Sequence, residues 1–219
     1  MYKQVRILFI IYFLITAVEL VFIYFNLTDL RWFTKPLLMP LLLFAVIIKR
    51  SEIKLYTLIL IALFLSWLGD VLLQMKGLFI LGLVSFLLAH VFYIVYFLKI
   101  QPQQKGLLQR QPLIGIPVLV YIVIFLFLLY PFLDALKIPV TVYGITIGTM
   151  LLMAINTKRK LNEDASNLFF NGALQFAISD SLLAVNMFAY NSVVLSICVM
   201  LTYASAQWLI VSGSMKVEN

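Results

Sequence analysis

Apolar residues run in long blocks, broken by short polar stretches, from one end of the chain to the other. The blocks fall at about 5–27, 34–48, 53–75, 78–98, 112–130, 138–156, 167–190 and 192–213. Most reach the roughly 20 residues that a helix needs to cross a bilayer. The alternating apolar-out, polar-in pattern of a membrane barrel is absent, so each block predicts a helix. The second block is short and begins "TKPLLMP". Pro36 suits a first helical turn, where no backbone donor is needed. Pro40, one turn further in, is expected to interrupt the hydrogen-bond ladder.

Composition strengthens this picture. Of 219 residues, 64% are hydrophobic and only 11% charged, against roughly 25% charged in soluble domains. No loop is long or polar enough for a soluble domain, so residues 1–219 are expected to form a single integral membrane domain. The fold class is all-α, a polytopic bundle of eight helices. The first block contains Glu19 and lacks a small-residue cleavage site, so it is expected to be a retained helix.

The net charge of +7 raises the question of nucleic acid, but its distribution points to the bilayer. Lys3, Arg6, Lys49, Arg50, Lys54, Lys99, Lys105, Arg110, Lys158, Arg159, Lys160 and Lys216 fall on one side, twelve in all. Arg31, Lys35, Lys76 and Lys137, four in all, fall on the other. Basic residues concentrate on the cytoplasmic side. Both termini are therefore expected inside, in a plasma or inner membrane, with no nucleic-acid partner. The lone cysteine, Cys198, reads as packing.

Against this apolar background the ionisable residues stand out. Asp70 ("SWLGDVLL"), Asp180, Glu19 and His90 fall within spans. Each costs at least about 2.5–3.5 kcal/mol to insert, and such groups normally face a bundle interior or a wet cavity. Counted from the non-cytoplasmic ends, Asp70, Asp180 and His90 lie roughly 9, 15 and 20 Å deep. They are expected to line one cavity. Tyr12, Thr16, Glu19 and Asn26 fall on one face of the first helix, as a cavity wall or an interhelical seam. Tyr203 and Gln207 share a face of the last helix, as substrate contacts or helix glue. Gly172 and Ala173 predict close helix packing. Lys35 at a helix start, beside Arg31, is a candidate phosphate site or an ordinary interface lysine. A single histidine offers no metal-ligand pair, and no metal or other cofactor is expected. "LGDVLL" (68–73) and "ISDSLL" (178–183) match at an offset of 110 residues, as do Tyr93 and Tyr203. This suggests a weak 4+4 internal repeat.

The segments "TKPLLMP" (34–40), "LGDVLL" (68–73), "FLLAHVFYI" (86–94), "GALQFAISDSLLA" (172–184) and "YASAQWLI" (203–210) together resemble the YhhN family of eight-span membrane proteins. The resemblance covers nearly the whole chain. It implies a lysoplasmalogenase-like hydrolase, which cleaves the vinyl ether of a lysophospholipid to a fatty aldehyde and a glycerophospho-base. It also implies that Asp70 and Asp180 are catalytic. Vinyl ether cleavage needs a carboxylic acid to protonate carbon and a carboxylate to stabilise the cation and activate water. Lys35, His90, Glu19, Tyr93, Tyr203, Gln207 and Arg31 are the substrate-binding candidates, with Lys35 expected to hold the phosphate. Two other readings of paired aspartates exist. One is a proton- or cation-coupled transporter. The other is an intramembrane aspartyl protease, against which stand the motif L-G-D in place of G-x-G-D and the missing proline motif.

Overall fold

In a computed structural model of the chain, residues 3–101 and 103–217 are described. Eight helical segments are long and apolar enough to cross a membrane. Their main helices are α1 (Lys3–Tyr24), α2 (Lys35–Ile48), α3 (Tyr56–Gln74), α4 (Phe79–Lys99), α5 (Ile116–Leu129), α6 (Lys137–Asn156), α7 (Glu163–Ala184) and α8 (Val193–Ser214). No β-strand occurs among the described residues. Each span predicted from the apolar blocks is present, with ends shifted by a few residues.

The shifts have local causes. α1 stops at Tyr24 because Asn26 takes a left-handed turn, φ 56°. The Leu27 amide then donates to the Phe22 carbonyl, closing the helix end in a Schellman pattern. Asn26 is exposed beyond that turn. This corrects the expectation that it continues the buried face of Tyr12, Thr16 and Glu19. α7 starts four residues earlier than its apolar block. Asn162 caps it by accepting from the Ala165 amide, and Glu163 and Asp164 fill the first turn, where acidic groups complement the helix dipole.

α2 carries Pro40 in its interior. Proline has no N–H for the carbonyl four residues back, which is that of Pro36. The Trp67 indole of α3 donates to that carbonyl at 3.0 Å. The interrupted ladder is thus satisfied by a neighbouring helix and ties α2 to α3.

Seven helices close into a ring in the order α1, α2, α3, α4, α6, α7, α8 and back to α1, and α5 packs outside it against α6. Most large side chains of α5, including Val123 and Phe127, face outward. Such apolar faces suit lipid rather than water. Gly172 lets α7 approach α8 closely: a methyl there would lie 3.1 Å from the Ala206 carbonyl oxygen and 2.8 Å from Ile210. Cys198 is half-buried on α8. The hairpins α3–α4 and α7–α8 carry Asp70 and Asp180 at corresponding places, each one turn before the end of its first α-helix.

Candidate active site

The ends of α3 and α7 and the start of α2 meet at one end of the ring. There Asp70, Asp180, Arg31, Lys35, Phe86 and Tyr203 line a single cavity of about 180 Å³. The two aspartates come from sequence positions 110 apart and face the same space. Asp70 is 1% exposed. Lys35 Nζ lies 3.3 Å from its Oδ1, and the Tyr203 hydroxyl donates to its Oδ2 at 2.7 Å. Lys35 is therefore set against Asp70 as well as at the cavity wall.

Asp180 has different company. Its Oδ2 accepts from the Tyr143 hydroxyl at 2.6 Å. The nearest ring nitrogen of His90 lies 3.6 Å away, and neither nitrogen of this fully buried imidazole makes a hydrogen bond. The ring is held edge-on between Tyr143 and Phe176, at centroid distances of 5.3 and 4.6 Å. His90 thus sits behind Asp180 and does not line the cavity.

Local sequence explains how these groups are aimed. Beside Asp70, a methyl at Gly69 would lie 2.6 Å from the Phe86 ring. Only glycine lets that ring lie against α3, where it forms the cavity wall and meets Tyr203 edge-on at 5.8 Å. The Tyr12 hydroxyl donates to the carbonyl of Ala204, next to Tyr203, at 2.9 Å. Arg31 precedes α2 in a 3-10 turn, Leu30–Phe33. Its Nε donates to Glu19 Oε1 at 2.8 Å, and Thr34 Oγ1 donates to Glu19 Oε2 at 2.5 Å. Glu19 is fully buried and lies behind Arg31, off the cavity wall. Tyr93 and Gln207 are also off the wall. The Tyr93 hydroxyl donates to Gln207 Oε1 at 2.6 Å, and Gln207 Nε2 donates to Ser66 Oγ at 3.0 Å. This chain ties α4, α8 and α3 together beneath Asp70.

The sequence reading missed Tyr143 and Asn186. Tyr143 was one of many tyrosines in apolar spans, and nothing in its spacing points to Asp180 on another helix. Asn186 lies where α7 loosens into a π turn, Val185–Ala189, a distortion common at functional sites. Its side chain donates to Ser196 Oγ at 3.0 Å and accepts from the Ser192 amide at 2.8 Å. An asparagine inside the 167–190 apolar block was the available signal.

A small apolar pocket of about 40 Å³ adjoins the cavity and shares Leu73, Phe86, Asp180 and Leu183 with it. Val140 and Phe188 help to close it. Larger hollows on the sides of the bundle, of about 410 and 720 Å³, carry no pair of buried carboxylates. The arrangement at the ring's end therefore offers two carboxyls, two cations and an apolar side pocket in one place.

The YhhN family pattern matches residues 30–214, which hold both aspartates and their partners apart from Tyr12 and Glu19. The chain belongs to the YhhN family. It is an integral, multi-pass membrane protein. It is 32% identical over 155 residues to the lysoplasmalogenase TMEM86B of Mus musculus, covering 71% of this chain and 62% of that one. It is 36% identical over 149 residues to the lysoplasmalogenase TMEM86B of Sus scrofa, covering 68% of this chain and 59% of that one. A lysoplasmalogenase of Mycobacterium bovis is 32% identical over 157 residues, covering 69% and 58%. The YhhN chain thus spans about three fifths of the length of the curated relatives it matches. No solved structure gives a match.

Proposed function

We propose that this YhhN protein is a membrane-embedded hydrolase that cleaves the vinyl ether bond of a lysoplasmalogen. The products are a fatty aldehyde and a glycerophospho-base. The observation that carries this reading is the shared cavity in which Asp70 and Asp180 meet beside Arg31 and Lys35. Relatives named lysoplasmalogenase support it.

The chemistry asks for what this cavity contains. Protonation of the vinyl ether β-carbon creates an oxocarbenium ion, and water adds to it. The resulting hemiacetal collapses to aldehyde and alcohol. One carboxyl gives the first proton and another takes a proton from water, as in glycoside hydrolysis. Arg31 is braced by Glu19 while 27% of its side chain stays exposed, so it is suited to receive a phosphate. Lys35 stands between that phosphate and Asp70. The alkenyl chain runs toward the apolar side pocket. Tyr93, Gln207 and Glu19 act by holding helices and side chains in place rather than by touching substrate. With both termini inside, the cavity lies on the non-cytoplasmic side, where a lysophospholipid head group of the outer leaflet resides.

The test is to incubate purified protein with lysoplasmalogen and, separately, with its saturated 1-alkyl analogue. Aldehyde and glycerophospho-base are expected from the vinyl ether only. Asp70→Asn and Asp180→Asn should each lower the rate by about 10²–10⁴-fold, because an amide cannot cycle a proton. Wild-type turnover by either folded variant would refute that residue's role, and no aldehyde from folded wild type would refute the reaction.

A further inference from the structure

The two carboxyls have unlike surroundings. Asp70 faces Lys35 Nζ at 3.3 Å and the Tyr203 hydroxyl at 2.7 Å, in a cavity that Arg31 also lines. An ionised carboxylate in an apolar bundle is tolerable when a cation and a hydrogen-bond donor meet it. Asp180 faces the Tyr143 phenol and the His90 imidazole. An imidazolium would present two N–H donors, and neither nitrogen of His90 has a hydrogen-bonded acceptor. Asp180 thus has only neutral partners, which suits a carboxylic acid. Tyr143 occupies Oδ2, leaving Oδ1 to carry a proton.

Position points the same way. Asp180 borders both the polar cavity and the apolar side pocket, whereas Asp70 borders only the polar cavity and is paired there with Lys35. In a bound vinyl ether the β-carbon lies on the alkenyl-chain side. The carbon that water attacks is bonded to the ether oxygen, on the glycerophosphate side. Resting on the vinyl-ether reading above, we propose that Asp180 delivers the proton to the β-carbon, and that Asp70 is the carboxylate that activates the attacking water.

The sequence of bonds then closes. The C=C π pair takes the Asp180 proton to form the β C–H bond, leaving an oxocarbenium ion and an Asp180 carboxylate. Water attacks the cationic carbon as Asp70 removes one of its protons. In the hemiacetal, the C–O bond to glycerol breaks. Asp70 returns its proton to the leaving glycerol oxygen, and the hemiacetal hydroxyl proton goes to Asp180 as the aldehyde C=O forms. Both carboxyls end as they began, and one water is consumed.

Azide separates the roles, since it is an anionic nucleophile that needs no base. Purified Asp70→Ala and Asp180→Ala proteins, with folding followed by thermal melting, are given lysoplasmalogen with and without sodium azide. In Asp70→Ala, azide should attack the oxocarbenium ion directly and yield an α-azido ether, detected by mass spectrometry, in place of aldehyde. Substrate consumption should rise by about ten-fold or more, within the roughly 10²–10⁴-fold that loss of a general base costs. Asp180→Ala should stay inactive with azide, because no cation forms. If Asp70→Ala leaves Lys35 unpaired and fails to fold, the double variant Asp70→Ala/Lys35→Met is used in its place. With an active wild type, rescue of Asp180→Ala, or of neither variant, overturns the assignment alone. A wild type that releases no aldehyde overturns the vinyl-ether reading and the assignment with it.

Discussion

Around Asp180, one hydroxyl does most of the orienting: that of Tyr143, at 2.6 Å from Oδ2. Tyr143→Phe keeps the ring beside His90 and removes that single donor. A hydrogen bond of this kind contributes about 0.5–1.5 kcal/mol, so kcat on lysoplasmalogen should fall roughly 2- to 10-fold with KM little changed. Steady-state kinetics on the purified variant checks this, and an unchanged kcat would mean that Tyr143 only fills space. Tyr93→Phe is the contrast. Its hydroxyl serves Gln207, off the cavity wall, so its loss should show chiefly as a lower melting temperature. Residue identity alone does not separate these two tyrosines. Asp70 and Asp180 were legible in the sequence because a carboxyl in an apolar span is costly and needs a reason. Tyrosine in a span is cheap, so Tyr143 carries no such mark.

At the scale of the helix, the Pro40 interruption in α2 shows a local defect repaired from outside. The Pro36 carbonyl, left without its helical donor, takes the Trp67 indole N–H. Trp67→Phe keeps much of the apolar contact and leaves a half-buried carbonyl unpaired. The expected cost is about 1–3 kcal/mol, the penalty for a buried group that loses its partner. A thermal melt in detergent checks it, and an unchanged melting temperature would show that the bond carries no load. The lesion should also reach the site, because Lys35 and Asp70 sit on the two helices that Trp67 ties together. The break at Pro40 was readable from the sequence. Its remedy was not, because the donor lies 31 residues away on another helix.

For the whole molecule, the distribution of basic residues predicts an orientation. The cavity lies at the ring end that includes Arg31 and Lys35, on the side with four basic residues against twelve. That asymmetry predicts a cavity on the outside and the 99–111 loop in the cytoplasm. A cysteine introduced in that loop, in a Cys198→Ala background, should resist a membrane-impermeant thiol reagent in intact cells. It should react once the membrane is opened. Ready labelling of intact cells would reverse the orientation and move the proposed substrate to the other leaflet. The weak internal repeat meets a mixed result at this scale. Asp70 and Asp180 occupy matching places in their hairpins, yet α1 belongs to the ring and its counterpart α5 lies outside it. Tyr203 serves Asp70, while Tyr93, its partner in the repeat, serves Gln207.

From the sequence by itself follow the eight helices, the membrane setting, the family resemblance and the two aspartates. These rest on strong, local physics: the length of apolar runs against bilayer thickness, and the expense of charge in hydrocarbon. The tertiary structure alone decided which groups stand beside those aspartates. Lys35, a candidate phosphate group or interface lysine by sequence, reaches Asp70 because the start of α2 lies against the end of α3. Glu19, Tyr93 and Gln207 fall behind the cavity wall because their helices rotate those side chains into the seams of the ring. Asp180 gains a phenol and an imidazole in place of a cation because α4 and α6 close around it. The inequality between two carboxyls is a property of neighbours, and neighbours from distant segments are set by how helices pack, which apolar periodicity does not encode.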